Sequence, residues 1–495
     1  MSQNDNDESP TSTDTTVAND LEAEILAAIA GSGATVDPTQ FRQTDAGNAQ
    51  LFVGMFGKDL RYVEAWRRWM FWNGLRWIEA SDIALTPLAT QVTEHMFAWA
   101  ATLMDEPRDK LRKHAMATEK KERLRAMIDL AKGDERIRAE PSLFDANPWL
   151  LGCGEATFNL RKKKGHRPKR KDYITKSTGT LPDPNADCPN WLALLDWAFG
   201  GDAETIEHFQ HIAGYILTGE VSEEKLFAFF GGGGNGKTTI VMTLFEMLGD
   251  YAGKARSDLL TQSQGQKGAA SPDVAELHGK RLVIVSETDD NCALAEAQVK
   301  AITSNEPITA RKLHRDLFTF MPTHKTVLMT NHRPFVKGTD DGIWRRLNII
   351  HFNAQITEDQ KDPRFREDKL RPELPAILAW AIRGCFMWQH DGLKPSAAVK
   401  ASTNNYRSEM DFMAQWLAER TVADPQASTT RSDAYSDYKD WAQMEGAPVL
   451  GNRRFAEEMH ARGFQAGKSH GVRLYRGLRM TRAYGLHVVA RTAAE

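Results

Sequence analysis

The apolar positions of the chain follow two periods, and these predict where strands and helices lie. Short apolar runs, typical of buried strands, lie within 226–230, 280–287 and 325–331. Helical spacing of apolar residues occurs in four other stretches, at about 87–140, 192–199, about 204–217 and 239–248. Because strands alternate with helices in the second half of this pattern, we expect an α/β core there, preceded by a mainly helical region.

A glycine-rich segment separates the first predicted strand from its helix. Residues 231–238 read Gly-Gly-Gly-Gly-Asn-Gly-Lys-Thr, which fits the pattern of a glycine, four residues and Gly-Lys-Thr. Glycines let backbone N–H groups turn toward a phosphate, and the start of the helix adds its positive dipole end. A flexible linker is the alternative, but linkers do not separate two strongly apolar elements.

The pattern therefore predicts a site for ATP and Mg²⁺. We expect Lys237 to reach the β- and γ-phosphates and Thr238 to hold the metal ion. The predicted nucleotide-binding residues are Gly231, Gly232, Gly233, Gly234, Asn235, Gly236, Lys237, Thr238 and Thr239.

Polar residues end the other two predicted strands and are candidates for catalysis. Glu287 follows an apolar run about 50 residues after the glycine-rich segment, where ATPases carry an acid that polarises the attacking water and supports the metal. The strand ends in Ser-Glu rather than in two acids, so Glu287 is the predicted base and a metal ligand, while Asp289 and Asp290 are expected at the surface. Asn331 is expected to orient the water beside the γ-phosphate; the alternative is a plain turn residue.

Two basic features follow in the same half of the chain. Residues 308–322 predict a hairpin with a polar tip that carries Lys312, His314 and Arg315, which either contacts a phosphate backbone or is an ordinary surface turn. Arg345 and Arg346 are candidates for an arginine finger that stabilises charge at a neighbouring subunit's nucleotide. The alternative for this pair is a structural salt bridge.

Two N-terminal features leave alternatives open. The strongest basic run, 161–171, contacts nucleic-acid phosphates or forms a solvated loop, and the sequence does not separate these. Four tryptophans stack on bases or, as we favour, pack in a core. They are Trp66, Trp69, Trp72 and Trp77. The Asn73-Gly74 pair between the last two predicts a hairpin.

Composition narrows the setting. The chain has 495 residues, 41% of them hydrophobic, and a formal net charge of −3, so nucleic-acid affinity must come from local basic patches. Its four cysteines are not paired at metal-ligand spacing, which argues against zinc and predicts reduced thiols in a cytoplasmic protein. We expect no membrane segment, because no apolar run is long enough to span a bilayer.

The pattern also suggests a domain plan. We expect a disordered tail at 1–44, a first domain at 45–203, an ATPase domain at 204–390 and a helical linker at 391–426. Residues 427–495 predict two helices, at 432–444 and 452–463, and a basic strand at 472–478. This order suggests a winged helix that binds DNA, with a plain interaction domain as the alternative.

The combined motifs resemble the superfamily 3 helicases of phages, plasmids and large DNA viruses. The likeness is to the phage/plasmid primase–helicase type, which is related to the poxvirus primase–helicase. Its motifs here are the glycine-rich segment, Ser286-Glu287, Lys300, Arg311-Lys312-Leu313-His314, Asn331 with Pro334, and Arg345-Arg346. Residues 44–49, 172–176 and 211–219 look like the domain that precedes the helicase in that family.

This resemblance implies an AAA+-like P-loop core and an ATP-dependent DNA helicase of phage, prophage or plasmid replication. It implies a ring, expected to be a hexamer, with nucleotide between subunits: Lys237, Thr238, Glu287 and Asn331 act from one side, and Arg346 or Arg345 from the next. His314 or Lys312 would contact single-stranded DNA at a fork.

Two qualifications accompany this resemblance. The sequence has no zinc cysteines or acid cluster ahead of the helicase, so we expect no primer synthesis from this chain and a separate primase or polymerase as partner. The alternative function is a replication initiator or regulator whose ATPase controls assembly.

Overall fold

The N-terminal region combines helices with a small antiparallel sheet. The computed structural model describes residues 34–261, 272–286, 293–311, 317–332, 335–336, 341–469 and 471–481. Its first helices are α1 (Asp45–Phe56), α2 (Thr86–Ala100), α3 (Asp105–Thr118) and α4 (Lys121–Ala131). Strands β1 (Leu60–Val63), β2 (Arg68–Trp72) and β3 (Trp77–Ala80) form the sheet in that order. The Thr44 hydroxyl accepts from Gly47 N at 3.2 Å and so caps α1.

The tryptophans of this region build a core. The predicted hairpin at Asn73-Gly74 is confirmed, since Trp72 pairs with Trp77 across β2 and β3. Trp69 and Trp77 are almost fully buried and Trp72 nearly so. Trp66 is half-buried, with its ring 5.5 Å from that of Phe144. Base stacking is therefore wrong for the three buried rings, and core packing is confirmed for them.

A second antiparallel sheet leads into the main body. Strands β4 (Leu150–Cys153), β5 (Ala156–Asn159) and β6 (Lys164–His166) pair in sequence order. The basic run 161–171 thus supplies the turn before β6, the strand itself and the segment after it. Helices α5 (Pro189–Ala198) and α6 (Ala203–Ile216) follow, as the apolar pattern predicts.

A five-stranded parallel sheet forms the centre of the molecule. Its elements, with their intervening helices and hairpin, are β7 (Leu226–Phe230), α7 (Lys237–Leu248), β8 (Ala252–Ala255), α8 (Pro272–Ala275), β9 (Leu282–Ser286), α9 (Glu296–Thr303), β10 (Ile308–Arg311), β11 (Leu317–Phe320), β12 (Lys325–Thr330), α10 (Asp341–Trp344) and β13 (Leu347–His351). The strand order is β13-β7-β12-β9-β8, and every neighbouring pair is parallel. The predicted α/β core is confirmed.

Both faces of this sheet are covered, which explains the unbroken apolar runs of its strands. Along β7, Phe227 and Phe229 enter one core, whereas Leu226 and Ala228 enter the other. This alternation is the period of two that any strand imposes on its side chains. The first core also includes side chains from 151–199, so it crosses the predicted domain boundary at residue 203.

The C-terminal region adds helices and a three-stranded antiparallel sheet. Its elements are α11 (Leu374–Asp391), α12 (Ala397–Glu409), α13 (Phe412–Arg420), β14 (Thr421–Thr430), α14 (Arg431–Met444), α15 (Asn452–Ala461), β15 (Ala466–Ser469) and β16 (Val472–Met480). The two helices and the strand expected after residue 430 are confirmed. The stretch expected to be a helical linker ends in β14, and Trp416 of α13 packs in the same core as Trp441 and Tyr475. The sheet order is β14-β16-β15.

Two buried cations fasten the amino-terminal edge of the parallel sheet to the end of α6. Arg281, just before β9, donates to the carbonyls of Leu217 and Leu150. Lys325, the first residue of β12, donates to the carbonyls of Thr218, Glu220 and Thr323. The Leu217 carbonyl, at the cap of α6, is one of those that a helix end leaves without an internal donor, and Arg281 satisfies it.

No helix within the described ranges combines the length and apolar character needed to cross a bilayer.

Candidate functional site

The glycine-rich segment lies between β7 and α7, at the carboxyl-terminal edge of the sheet. Gly236 has φ +78° and immediately precedes α7. A Cβ there would lie 2.9 Å from the Trp197 ring, so only glycine fits without a shift. At Gly231 a Cβ would lie 2.5 Å from the Phe352 carbonyl oxygen. The turn is therefore shaped by its neighbours as well as by its own sequence.

The Lys237 side chain runs from the start of α7 to the carboxyl-terminal ends of two neighbouring strands, β7 and β12. It is 6% exposed, and Nζ donates to the Gly231 carbonyl at 2.6 Å and to Asn331 Oδ1 at 2.9 Å. Burial lowers the pKa of Lys237. An ammonium has three N–H donors, so two acceptors leave one donor for a further partner. The structure thus brings together two residues that the sequence predicts as site residues, 94 positions apart.

Asn235 holds the turn from inside. Its side chain is buried and donates to the Gly232 carbonyl, while its Oδ1 accepts from Lys237 N at 3.4 Å. By contrast, a Cβ at Gly232 or Gly233 would meet nothing within 4 Å. Among the described residues, no group accepts a hydrogen bond from the N–H of Gly232, Gly233 or Gly234. This exposed arc of amides has the character of an anion cradle.

Thr238 and Thr239 occupy the first turn of α7. Thr238 is exposed and Thr239 is half-buried. An exposed hydroxyl beside the amide arc is where the sequence predicts a ligand for Mg²⁺ bound with ATP. These residues fit a polyphosphate with its metal ion, because an amide arc, a cation and a hydroxyl lie on adjoining backbone.

Sequence reasoning missed the walls of this site. Leu194 and Trp197 on α5 lie against Gly236, and Ile356 lies against Gly234. The chain after β13 is fastened to the turn, since Ile356 N donates to the Gly234 carbonyl at 2.8 Å. No local motif marks these residues, because they come from about 40 positions before and 120 positions after the glycines. The helical apolar spacing at 192–199 predicts the helix that carries Leu194 and Trp197, but not its contact with the glycines.

The neighbouring strands end level with the glycine-rich segment. Met329 of β12 pairs with Phe229 on one side and with Ser286 on the other. Ser286 is exposed, and two strand spacings, about 10 Å, separate β9 from β7. Glu287, the predicted base and metal ligand, lies outside the described residues.

The predicted hairpin at 308–322 is confirmed as β10 and β11, in which Arg311 pairs with Leu317. Its tip is not among the described residues, so the predicted DNA contacts of Lys312, His314 and Arg315 stay predictions. Within the described ranges, no three His, Cys, Asp or Glu side chains gather as a metal site.

The two arginines of the predicted finger differ in their surroundings. Both precede β13, at the sheet edge opposite the glycine-rich segment. The Arg346 side chain is 10% exposed and donates to Glu224 at 2.8 Å and to the Gly342 carbonyl at 2.9 Å. The Arg345 side chain is 64% exposed, with a longer 3.3 Å contact to Glu224. Both arginines thus form the salt bridge that the sequence left open, and Arg345 is the more exposed of the two. The arginine finger stays a prediction.

Two family models match the chain. Residues 49–200 match the model described as "D5 N terminal like". Residues 229–346, which contain the glycine-rich segment and the arginine pair, match "Family of unknown function (DUF5906)". Neither match extends over half of the chain.

Similar proteins come from large DNA viruses. "Putative helicase 022R" of Frog virus 3 (isolate Goorha) is 29% identical over 236 residues, covering 44% of this chain and 24% of that protein. "Putative helicase L207/L206" of Acanthamoeba polyphaga mimivirus is 26% identical over 319 residues, covering 60% and 33%. "Putative primase C962R" of African swine fever virus (isolate Tick/Malawi/Lil 20-1/1983) is 25% identical over 334 residues, covering 62% and 34%. The chain thus spans between a quarter and about a third of these relatives' length.

Among solved structures, the chain is similar to an apo structure of the NrS-1 C-terminal region. The TM-score is 0.50 at 11% identity, and the match covers 85% of this chain and 96% of that one. This likeness shows a shared fold. Together with the D5 N-terminal match and the viral relatives, it supports a primase–helicase-like protein, and the resemblance that the sequence predicts is confirmed.

Proposed function

We propose that the chain is the ATP-dependent motor of a superfamily 3 DNA helicase that acts in phage, prophage or plasmid replication. One observation carries this proposal: the buried Lys237 ammonium bridges the glycine-rich turn and Asn331 at an exposed sheet edge. Parallel sheets bind ligands at this edge, where neighbouring connections leave in opposite directions. The order β13-β7-β12 around the turn supports the AAA+-like P-loop core that the resemblance implies.

Each residue then has a role. The amides of the turn would hold the phosphates, Lys237 would donate to a phosphate oxygen, and Thr238 with Glu287 would hold Mg²⁺. Bound ATP with its metal supplies the bond whose hydrolysis drives movement. Glu287 takes the proton from the attacking water, and Asn331 orients that water.

The opposite sheet edge supports assembly into a ring. Arg345 lies about five strand residues, roughly 17 Å, from the glycine-rich turn of its own chain, so it is too distant to serve its own nucleotide. An exposed arginine at that edge suits a neighbouring subunit's site, as an arginine finger requires. A ring, expected to be a hexamer, would place such a pair at every interface.

We assign DNA contact to the tip of the β10–β11 hairpin through Lys312, His314 and Arg315, with single-stranded or forked DNA as substrate. The viral relatives' names as helicases and primases support a replication role, in which a separate primase or polymerase is the expected partner.

The test is unwinding of a forked DNA by wild type, by Lys237→Ala and by the surface control Lys369→Ala. We expect ATP-dependent unwinding by wild type and the control, and a loss of at least about 100-fold in Lys237→Ala, because the phosphate loses a preorganised positive charge. Hydrolysis without unwinding by wild type, on forks of either tail polarity and across salt concentrations, would contradict a motor.

That outcome would favour the second candidate, an initiator or regulator whose ATPase controls assembly. The C-terminal region supports this candidate, because two helices followed by a strand pair are the elements of a winged helix. The deletion that tests this candidate removes 411–495, so that α13 is removed together with the C-terminal core in which it packs. The shortened chain would then lose binding to a specific DNA sequence and keep hydrolysis.

A further inference from the structure

The basic run 161–171 forms one side of a cavity whose lining residues all precede the glycine-rich turn by about 60 positions or more. The cavity has a volume of about 470 Å³ and lies beside the second antiparallel sheet. Its lining residues are Asn147, Leu150, Asn159, Lys162, Lys164, Gly165, His166, Lys169, Lys171 and Asp172. We call this cavity the lysine cleft.

Seven of the eight lysines and arginines of the run divide into two groups, and the eighth, Arg167, is exposed and is not part of the cleft lining. Arg161 lies over the Trp149 ring at 5.2 Å, Lys163 lies over the Phe386 ring at 5.0 Å, and Arg170 pairs with Asp59. These three fasten the run to the rest of the molecule. Phe386 belongs to α11, so the cleft is joined to the body that carries the parallel sheet.

The second group remains available. Lys162, Lys164, Lys169 and Lys171 line the cleft and are exposed, and none pairs with a carboxylate anywhere in the described ranges. Four unpaired ammonium groups around one cavity repel each other, and an anion relieves that repulsion. A solvated loop has no reason to gather four ammonium groups on one concave surface while Arg161, Lys163 and Arg170 of the same run contact the body of the molecule.

The remaining lining residues indicate which anion fits. Asp172 is the one carboxylate of the lining, and its Oδ2 lies 3.8 Å from His166 Nε2. Asn147 and Asn159 use their side-chain oxygens to accept from Trp149 N and Lys162 N, which leaves their amide nitrogens as donors. The lining has no Trp, Tyr or Phe on which a base could stack. The chemistry therefore suits a chain of phosphates rather than a free nucleotide.

We propose that the lysine cleft binds the phosphate backbone of DNA, as a contact separate from the ATPase core. The proposal rests on the proposed function only for the choice of DNA as the polyanion. The contact is independent of base sequence and of nucleotide, and it holds a strand on the same body as the motor.

The test uses the full chain with Lys162, Lys164, Lys169 and Lys171 all changed to Gln. The matched control changes Lys113, Lys120, Lys121 and Lys369, four exposed lysines outside the cleft, to Gln, so that net charge is equal. Fluorescence anisotropy without nucleotide measures affinity for single-stranded and for duplex DNA over a salt series. Lysine acetylation mapped by mass spectrometry, with and without DNA, measures protection at each ammonium in wild type.

We expect the cleft variant to bind DNA roughly 10- to 100-fold more weakly than the control at low salt. On single strands, the slope of log affinity against log salt becomes less steep by up to about 3, because binding releases about 0.7 counterions fewer for each phosphate contact that is lost. If the cleft variant loses more affinity for single-stranded DNA than for duplex DNA, the cleft binds single-stranded DNA, and the reverse result assigns it to duplex DNA. DNA protects the four cleft lysines from acetylation and leaves the control lysines reactive.

Equal affinity and equal slope in the two variants, or acetylation of the cleft lysines unaffected by DNA, would overturn the proposal. These readouts need neither hydrolysis nor unwinding. If the wild type binds DNA through the cleft but never unwinds a fork, the proposed motor function is wrong and the proposal for the lysine cleft still holds.

Discussion

Two buried lysines lie at opposite ends of the parallel sheet, and they differ in what surrounds them. Lys325 opens β12 at the amino-terminal edge, where three carbonyls take its N–H donors and the Tyr215 ring lies 4.8 Å from Nζ. Lys237 lies at the carboxyl-terminal edge beside Asn331, which directly follows β12, and meets one carbonyl and one amide oxygen beside exposed glycines. Burial lowers the pKa of both.

The difference shows that a buried cation does not by itself mark a functional site. The acceptors of Lys325 are backbone carbonyls of the segment after α6 and of Thr323, just before β12, so its role is to fasten these segments together. The partners of Lys237 are an exposed amide side chain and a glycine carbonyl, and one donor is left over. A pKa lowered by burial is common to both residues; room for a ligand belongs only to the second.

The largest effect is expected at the amino-terminal edge, and it tests whether that edge also serves a neighbouring subunit. Arg345→Ala should lower kcat of hydrolysis by about 10³-fold with nucleotide binding unchanged, because an exposed finger is lost. Arg346→Ala should instead lower the thermal midpoint, because it breaks the half-buried pair with Glu224. The measurements are steady-state hydrolysis, nucleotide binding and thermal unfolding.

Mixing subunits decides whether Arg345 acts across an interface. Arg345→Ala and Lys237→Ala subunits, each inactive alone, should recover some hydrolysis together, since some interfaces then combine an intact lysine with an intact arginine. If Arg346→Ala abolishes hydrolysis and Arg345→Ala does not, the assignment of the exposed arginine is wrong.

A second prediction compares the loss of stability when each of the two buried lysines, Lys325 and Lys237, is changed to alanine. Lys325→Ala should cost about 3 kcal/mol, because buried carbonyls lose charged donors, which lowers the thermal midpoint by about 6–12 °C. Lys237→Ala should leave the midpoint within about 2 °C of wild type, because only one buried carbonyl, that of Gly231, loses its donor, and the other acceptor, Asn331, is exposed to water. Differential scanning calorimetry measures both. Equal losses of stability would show that the two edges do not differ in the way proposed here.

The smallest effect concerns the residue before Lys325. Burial, and next the positive Lys325, lower the pKa of His324 to about 3. An unfolded histidine takes a proton near pH 6.5 and the folded one does not, so unfolding binds a proton between these values and stability falls as pH drops. Between pH 6.5 and pH 5 this costs about 2 kcal/mol.

Thermal midpoints at pH 7 and pH 5 check this linkage. His324→Gln should show a smaller fall than wild type, and His390→Gln, at an exposed position, should match wild type. His114 and His208 also have pKa values lowered by burial, so part of the fall should persist in His324→Gln. A fall unchanged by His324→Gln would remove this residue from the linkage.

Much of the fold could be predicted from the sequence because it depends on local patterns. The strand, turn and helix around the glycines, the hairpin at Asn73-Gly74 and the hairpin of β10 and β11 all carry their own periodicity and turn residues. The resemblance to primase–helicases likewise depends on motifs in their order along the chain.

The rest depends on contacts between distant segments, which have no local signal. In the sequence Arg345 and Arg346 are equal candidates for the finger. Both pair with Glu224, more than 120 residues away, and only their different burial in the fold distinguishes them. The sequence does not distinguish Trp197 from the other 12 tryptophans, and only the fold shows that its ring lies against Gly236. The division of the basic run into fastening and free cations followed from Trp149, Phe386 and Asp59, which the run itself cannot indicate.

The core that crosses residue 203 bears on how this protein can be cut. Trp191 and Leu195 of α5 pack in one cluster with Ile240 of α7, and the Leu150 carbonyl accepts from the buried Arg281. A fragment that began at residue 204 would bare the apolar side of the helix that carries Lys237 and leave a guanidinium short of an acceptor. A motor fragment that keeps its fold would therefore have to begin before β4, taking the lysine cleft with it.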